Sequence, residues 1–272
     1  ELLDAGKYFD YPPSDKGEEI RLDLAIMLQK LGFSVEKTHH EVNPGQNEVY
    51  FRFADALTTA EMQGFDVDVA KAVGDSLGVE TCFATPGWDT LTAGNWANKW
   101  DMSVGSMTPT TERQQVLWFS EPYYFTPAVV VVPSDSMVTD VATQLDGKKI
   151  GVCAGCTYEA YLNKTLAIDG YTFDFVIDDA VVSGYDTDTT ALADLDLGRV
   201  DAVITSITTA QGWIDAGNAD KIIGSPVFYE PLSVAFDKGS QADPTSLLAA
   251  VNQILADMRA DGTLTAFSQT WF

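Results

Sequence analysis

The residues best suited to bind a small anion lie between Trp100 and Tyr124. A short apolar segment there runs into a loop of small hydroxylated residues that includes Ser106 and Thr108, and Arg113 follows this loop. Hydroxyl groups, backbone N–H groups and a guanidinium can together satisfy the lone pairs of a carboxylate. The spacing alone fits a capped loop with a surface arginine equally well. The stretch therefore offers two interpretations, a carboxylate-binding loop and an ordinary capped loop.

The cysteines form a second pattern with chemical potential. Cys153 and Cys156 make a C-A-G-C sequence after a predicted strand, a spacing also found in redox and zinc sites. Zinc needs four ligands, and no second Cys or His pair follows to supply them. The pair is therefore interpreted as either a local disulfide or two packed thiols, and Cys82 as an ordinary buried residue.

Composition and charge exclude several classes of function. The chain has 272 residues, 46% of them hydrophobic, and 40 acidic against 16 basic residues give a net charge of −24. Such a charge repels nucleic acids and anionic membrane surfaces, so neither is expected as a partner. No apolar run is long enough to cross a bilayer. The opening ELLDAG has no basic n-region, which predicts that a secretory signal is absent or already removed.

Strand-like and helix-like segments alternate from Gly64 onward, which predicts α/β architecture. The pattern restarts after a strand at residues 128–133, and the restart indicates a second lobe. Strands are predicted at residues 79–83, 101–105, 128–133, 147–152, 173–177, 201–205 and 227–236, helices at residues 65–77, 158–166, 189–197 and 245–258, and a turn and helix at residues 88–97. Two lobes joined by two crossings leave a cleft at the strand ends, where such sheets bind ligands.

Residues 64–272 resemble the extracytoplasmic solute-binding proteins of ABC importers that serve polar amino acids. The resemblance rests on landmarks in the expected order: GFDVDVAKAVGDSLGV, GWDTL, SMTPTTER, FSEPYYFTPAVVVV, GKKIGVCAGCTYEAYL, LGRVDAVI and VNQILADMRADGTLTAFSQTWF. It implies a two-lobe, type II periplasmic-binding-protein-like fold, each lobe a mainly parallel sheet flanked by helices. Lobe one would comprise residues 64–132 and 229–272, and lobe two residues 133–228.

The same resemblance implies the ligand site. Trp88 would floor the pocket, and the grip on a carboxylate would come from Ser106, the Met107 backbone, Thr108, Arg113, Thr157, Cys156 and Tyr158. Many family members hold the ligand's α-ammonium with an aspartate where this chain has Ser206. Because a buried ammonium without a carboxylate is costly, either Asp186, Asp188 or Glu230 takes that role, or the ligand is not an ordinary α-amino acid.

Residues 1–63 differ from the rest and resemble a fragment of glutamine synthetase, including its HHEVNPGQNE motif. In that family the glutamates at the positions of Glu41 and Glu48 bind metal. Two carboxylates cannot complete such a site, and the synthetase's other elements are missing, so neither synthetase activity nor a metal site is expected. A helix is predicted at residues 17–31 and strands at 33–42 and 48–54. The chain resembles a mosaic in which residues 1–63 pack into lobe one, with 48–54 as its opening strand.

These observations favour a monomeric binding protein that captures a polar amino acid or related carboxylate and delivers it to the membrane permease of an ABC importer. It would work in the periplasm or outside the cell and would need no cofactor. An open alternative is that it is anchored to the membrane through a signal segment that has been removed. Two alternatives remain. One is a cyclohexadienyl-dehydratase-like enzyme on the same scaffold, which a titratable carboxylate beside Thr108 would favour. The other is a mosaic with no working pocket.

Overall fold

The structure is a computed structural model that describes residues 35–40, 47–51, 64–241 and 243–272. The chain divides into two compact units. The first contains residues 1–85 together with Trp271, and the second contains residues 86–270 together with Phe272. The helix predicted at residues 17–31 lies outside the described residues, as does Glu41.

The first unit contains a hairpin and a helix. Strands β1 (Val35–His40) and β2 (Asn47–Phe51) pair antiparallel, and Glu48 lies opposite His39 in the register. Both predicted strands are thus present with shorter bounds. Among the described residues β1 and β2 pair only with each other, so the structure does not show β2 as the opening strand of a larger sheet.

Helix α1 (Gly64–Leu77) carries the predicted apolar stripe, because Phe65, Val69 and Val73 are all buried. It ends at Gly78, whose φ of +70° is the left-handed conformation that commonly terminates helices. The prediction of a strand at residues 79–83 is wrong. This segment is irregular, since no neighbouring strand pairs with it among the described residues, and Cys82 is exposed rather than buried.

A five-stranded mixed sheet dominates the second unit. Its strands are β4 (Tyr124–Pro133), β5 (Lys149–Cys153), β6 (Val181–Tyr185), β7 (Ala202–Ser206) and β8 (Asp220–Leu232), in the spatial order β6-β5-β7-β4-β8. Strand β5 runs parallel to β6 and β7, whereas β4 runs antiparallel to β7 and β8. We expected a mainly parallel sheet, but the sheet is mixed, because β4 runs antiparallel to both of its neighbours, β7 and β8.

Some of the helices pack against this sheet, and others lie elsewhere along the chain. They are α2 (Trp88–Thr92), α3 (Val141–Gln144), α4 (Thr157–Leu162), α5 (Asp188–Asp196), α6 (Ile207–Asp215), α7 (Thr245–Ala260) and α8 (Thr263–Trp271), with one 3₁₀ turn at Arg113–Gln115. Strand β4 is buried on both faces. Val130 and Val132 join the core beneath α4, while Val129 and Val131 pack with Leu192 of α5. Its run of valines thus fits a strand enclosed on both sides.

A smaller antiparallel pair positions the loop before Arg113. Strands β3 (Leu117–Phe119) and β9 (Ala235–Asp237) pair directly, and Ser103 forms a single bridge to Ala235. The strand predicted at residues 101–105 is thus reduced to that bridge. Trp96, Met107 and Leu117 form the core beside this pair. Packing there holds the hydroxylated loop at two points, because Met107 lies inside the loop and Leu117 follows it.

Candidate functional site

Arg113, which follows the hydroxylated loop, is buried, with only 7% of its surface exposed. Its Nη1 donates to the Thr108 carbonyl at 3.1 Å, and its Nη2 donates to the Gly155 carbonyl at 3.0 Å. The guanidinium carbon lies 4.9 Å from the centroid of the Trp88 ring. Burial lowers the pKa of Arg113 to about 10, and the charges of Glu230 and Glu112 oppose that shift. The group therefore stays charged at neutral pH.

Trp88 begins helix α2 and contacts the same carbonyl as Arg113. Its Nε1 donates to the Gly155 carbonyl at 3.4 Å, so one backbone oxygen accepts from two of the predicted site residues. Gly155 has a φ of +69°, a conformation that favours glycine. The turn between β5 and α4 thus brings its backbone against the side chains of α2 and the hydroxylated loop.

Glu230 supplies the negative charge of the site. It lies on β8, opposite Thr126 of β4, and is 3% exposed. Its Oε2 accepts from the Thr108 hydroxyl at 2.8 Å and from the Thr157 hydroxyl at 2.5 Å. Its Oε1 is buried and has no hydrogen-bond partner in the described part of the chain. A buried carboxylate oxygen in this state is an acceptor to which a donor group can bind.

Asp188 adds a second carboxylate near Glu230. It lies in the first turn of α5, and although the residue is partly exposed, its Oδ1 is enclosed and without a partner among the described residues. Burial raises the pKa of Asp188 to about 7, helped by the charge of Glu230 and opposed by the Thr205 hydroxyl and the Cys153 backbone. Burial, with the charges of Glu230 and Asp188, also raises the pKa of Tyr158 well above its usual range. Tyr158 therefore stays protonated.

The sequence profile of the bacterial extracellular solute-binding proteins, family 3, matches residues 47–272. The chain belongs to this family. The ABC transporter arginine-binding protein 1 of Escherichia coli K12 is 29% identical over 93% of this chain and 98% of its own length. The L-cystine-binding protein TcyJ of the same strain is 31% identical over 84% of this chain and 81% of its own.

A crystal structure of the substrate-binding protein of an amino acid ABC transporter superposes with a TM-score of 0.65 at 27% identity. It covers 86% of this chain and 93% of the other. The solute-binding protein therefore has the type II two-lobe fold. Among its described residues, no helix combines the length and apolar character needed to cross a membrane.

The structure gathers some of the predicted site residues and leaves others apart. Trp88, Thr108, Arg113 and Thr157 surround the Gly155 carbonyl and the Glu230 carboxylate. Ser106, by contrast, is exposed. The Met107 side chain lies in the core, and its carbonyl accepts from the Ser233 N–H at 3.0 Å.

Two further predicted residues, Ser206 and Cys156, have local structural roles. Ser206 caps helix α6, where its hydroxyl accepts from the Thr209 N–H at 3.1 Å. Cys156 caps α4 and forms a disulfide with Cys153, which resolves the alternatives for the C-A-G-C sequence. The side chain of Glu48 is outside the described part. Among described residues, no group of three or more potential metal-ligating side chains occurs.

Glu230 and Asp188 were predicted only as substitutes for the aspartate that Ser206 replaces. Asp186, the third substitute, is exposed. The signal for Glu230 was therefore indirect, a buried ammonium in need of a carboxylate. No local sequence pattern marks Glu230, because its two hydroxyl partners are 122 and 73 residues away along the chain.

Proposed function

We propose that this solute-binding protein captures an α-amino acid between Arg113 and Glu230. The observation that carries the proposal is a buried guanidinium near a buried carboxylate, one oxygen of which has no partner among the described residues. The two hydrogen bonds of Arg113 to carbonyls use two of its five N–H groups, so the fork retains capacity for a ligand carboxylate. Glu230 Oε1 would accept from the α-ammonium. Glu230 thus takes the role of the aspartate that Ser206 replaces.

The second carboxylate favours a ligand with a cationic side chain. The charge of Glu230 helps to raise the pKa of Asp188, so the two carboxylates repel each other, and among the described residues Arg113 is the guanidinium that opposes Glu230. A second cation on the ligand would relieve that imbalance, because a buried charge needs a partner. Arginine, which one of the relatives binds by name, has this chemistry. L-arginine is therefore the proposed first ligand to test.

A thermal-shift screen against the common amino acids tests the proposal. A ligand that binds only the folded protein raises its melting temperature, and L-arginine should give a larger rise than L-glutamate. Glu230→Gln removes the charge but keeps the shape, so it should weaken L-arginine binding by about tenfold or more. Glu121→Gln, a change at an exposed residue, is the matched control and should bind as the wild type does. A flat screen would favour a mosaic with no working pocket.

One observation favours an enzyme as the second candidate. Glu230 is a carboxylate hydrogen-bonded to Thr108, and such a group could act as a general acid or base on a cyclohexadienyl acid. Incubation with such an acid, followed by absorbance of an aromatic product, distinguishes the two functions. Aromatic product that forms with the wild type and not with Glu230→Gln would establish the enzyme. The named relatives are binding proteins, which supports binding without turnover.

We also propose the setting in which the site works. Residues 64–132 and 229–272 would form one lobe and residues 133–228 the other, with the protein acting as a monomer outside the cytoplasm beside an importer permease. The relatives' functions support the permease as partner. A glutamine-synthetase-like, mosaic origin of residues 1–63 stays a prediction, and the family match, which begins at residue 47, overlaps that segment.

A further inference from the structure

The Cys153–Cys156 disulfide closes the turn that carries the Gly155 carbonyl to the site. Cys153 ends strand β5, Cys156 caps helix α4, and only Ala154 and Gly155 lie between them. The Cα atoms of the two cysteines are 5.5 Å apart. The residue after Cys156 is Thr157, whose hydroxyl donates to Glu230. The bond thus spans a turn with a site contact inside it and another directly after it.

The contacts inside this turn involve two of the predicted ligand-binding side chains, Arg113 and Trp88. The Gly155 carbonyl accepts from Arg113 Nη2 at 3.0 Å and from Trp88 Nε1 at 3.4 Å. Two hydrogen bonds hold the rest of the turn, since Ala154 N donates to the Tyr185 carbonyl and Gly155 N donates to the Glu159 side-chain carboxylate. The Cys156 N–H reaches the Cys153 carbonyl at only 3.4 Å. The covalent bond is therefore the strongest restraint on the Cys156 end of the turn.

We propose that the Cys153–Cys156 disulfide is a redox-sensitive positioning element that sets the affinity of the ligand site. It holds the Gly155 carbonyl against Arg113 and Trp88 and so orients the guanidinium toward the ligand carboxylate. Reduction frees the turn, the carbonyl leaves its two donors, and the guanidinium loses its fixed direction. The effect on affinity rests on the proposed amino acid site, whereas the effect on Arg113 and Trp88 does not.

The chemistry is thiol–disulfide exchange with a dithiol reductant. Cys153 is buried and Cys156 is partly exposed, so a reductant thiolate attacks the Cys156 sulfur and expels the Cys153 thiolate. The second reductant thiol then displaces Cys156 and forms a cyclic disulfide. Two electrons and two protons pass to the protein, which ends with two thiols. A dithiol oxidised in this way is the co-reactant, and an oxidising compartment reverses the step.

Calorimetric titration with L-arginine, before and after reduction by dithiothreitol, tests the effect on affinity. The dissociation constant should rise roughly tenfold on reduction and return on reoxidation, because a charge-assisted hydrogen bond that orients the guanidinium is lost. The double variant Cys153→Ser/Cys156→Ser should bind as weakly as the reduced protein and should not respond to dithiothreitol. Cys82→Ser, which removes the exposed free thiol, should respond as the wild type does.

A second readout needs no ligand. The indole N–H resonance of Trp88 in a ¹H–¹⁵N spectrum, assigned by its loss in Trp88→Phe, should shift on reduction because its acceptor moves. If the disulfide were merely structural, its reduction would lower the melting temperature but leave both this resonance and the L-arginine affinity unchanged. That result would overturn the proposal. If the oxidised protein binds no L-arginine, the proposed ligand is wrong, and the indole resonance alone decides whether the disulfide positions the turn.

Discussion

At the scale of single residues, the site keeps two opposite charges near each other without pairing them directly. Arg113 donates to the carbonyls of Thr108 and Gly155, while Glu230 accepts from the hydroxyls of Thr108 and Thr157. Each charge is thus held by neutral groups. An α-amino acid presents the complementary pair, a carboxylate and an ammonium, so it can satisfy both charges at once.

The pKa of Asp188 makes binding of a cationic ligand depend on pH. With a pKa of about 7 the carboxyl is mostly neutral at pH 6 and mostly ionised at pH 8. Affinity for L-arginine should therefore increase over this range, since an ionised carboxylate attracts the ligand cation more strongly. Calorimetry at the two pH values measures the change, which Asp188→Asn should abolish. Asp186→Asn, at an exposed neighbour, should keep the wild-type slope.

The same pKa fixes the sign of the effect on stability. Between the ordinary value of 3.8 and about 7, folded Asp188 keeps a proton that the unfolded chain has already lost. Its contribution to the free energy of unfolding therefore falls as pH rises through that window. Asp188→Asn should raise the melting temperature more at pH 8 than at pH 5. An equal effect at both values would contradict the raised pKa.

Residue types near Arg113 predicted which side chains lie together, while their role in binding a ligand stays a prediction. Hydroxyls followed by a guanidinium indicated a carboxylate site, and Arg113 and Thr108 do lie together. Glu230 could not be placed from sequence, because its hydroxyl partners Thr108 and Thr157 are far from it along the chain. The family resemblance pointed to Ser206 as a ligand-site residue, but in the structure it caps helix α6. Serine is a common residue at such a cap position.

At the scale of elements, Asp237 of β9 joins the loop at Asn95 and Trp96 to the turn at Gly239. Its carboxylate accepts from the N–H groups of Asn95 at 2.8 Å, Trp96 at 2.7 Å and Gly239 at 2.8 Å. The loop it anchors is strained, because Asn95 and Ala97 both have a φ of 55°. Asp237 is 3% exposed, so its loss would leave buried donors without acceptors.

Asp237→Ala should lower the free energy of unfolding by about 3 kcal/mol, since hydrogen bonds to a charged group contribute about 1.5–3 kcal/mol each and partial rearrangement recovers some of that. Urea unfolding followed by circular dichroism measures the loss. Asp135→Ala, at an exposed position, serves as the control and should change stability by less than about 0.5 kcal/mol. A loss for Asp237→Ala as small as the control's would show that the carboxylate does not hold the loop.

Elements with a strong apolar period were predictable, and segments whose structure depends on a partner were not. The valine run of β4 and the stripe of α1 were both correct in type. At residues 173–177 the alternation of Phe173, Phe175 and Ile177 suggested a strand, but the segment is irregular and its side chains pack into the core. Alternation reports burial rather than backbone pairing, and the paired strand β6 follows instead at Val181–Tyr185.

At the scale of the whole molecule, a net charge of −24 opposes the folded state through self-repulsion. Raising sodium chloride from about 0.1 M to about 1 M shortens the screening length from about 10 Å to about 3 Å. The melting temperature at pH 7.5 should therefore rise with salt. The rise should be smaller at pH 5, closer to the isoelectric point of about 4.1. A melting temperature that does not respond to salt at pH 7.5 would mean that repulsion is unimportant.

The central claim is that Arg113 holds the ligand carboxylate, and calorimetric titration with L-arginine tests it most directly. Truncating one partner of a desolvated charged pair typically costs about 2–5 kcal/mol, so Arg113→Ala should weaken binding by about thirtyfold or more. Arg113→Lys should recover only part of the affinity, because an ammonium lacks the planar fork. L-argininamide, which has no carboxylate, should bind the wild type weakly and Arg113→Ala equally weakly. Wild-type affinity for L-arginine in Arg113→Ala, within about threefold, would contradict the claim.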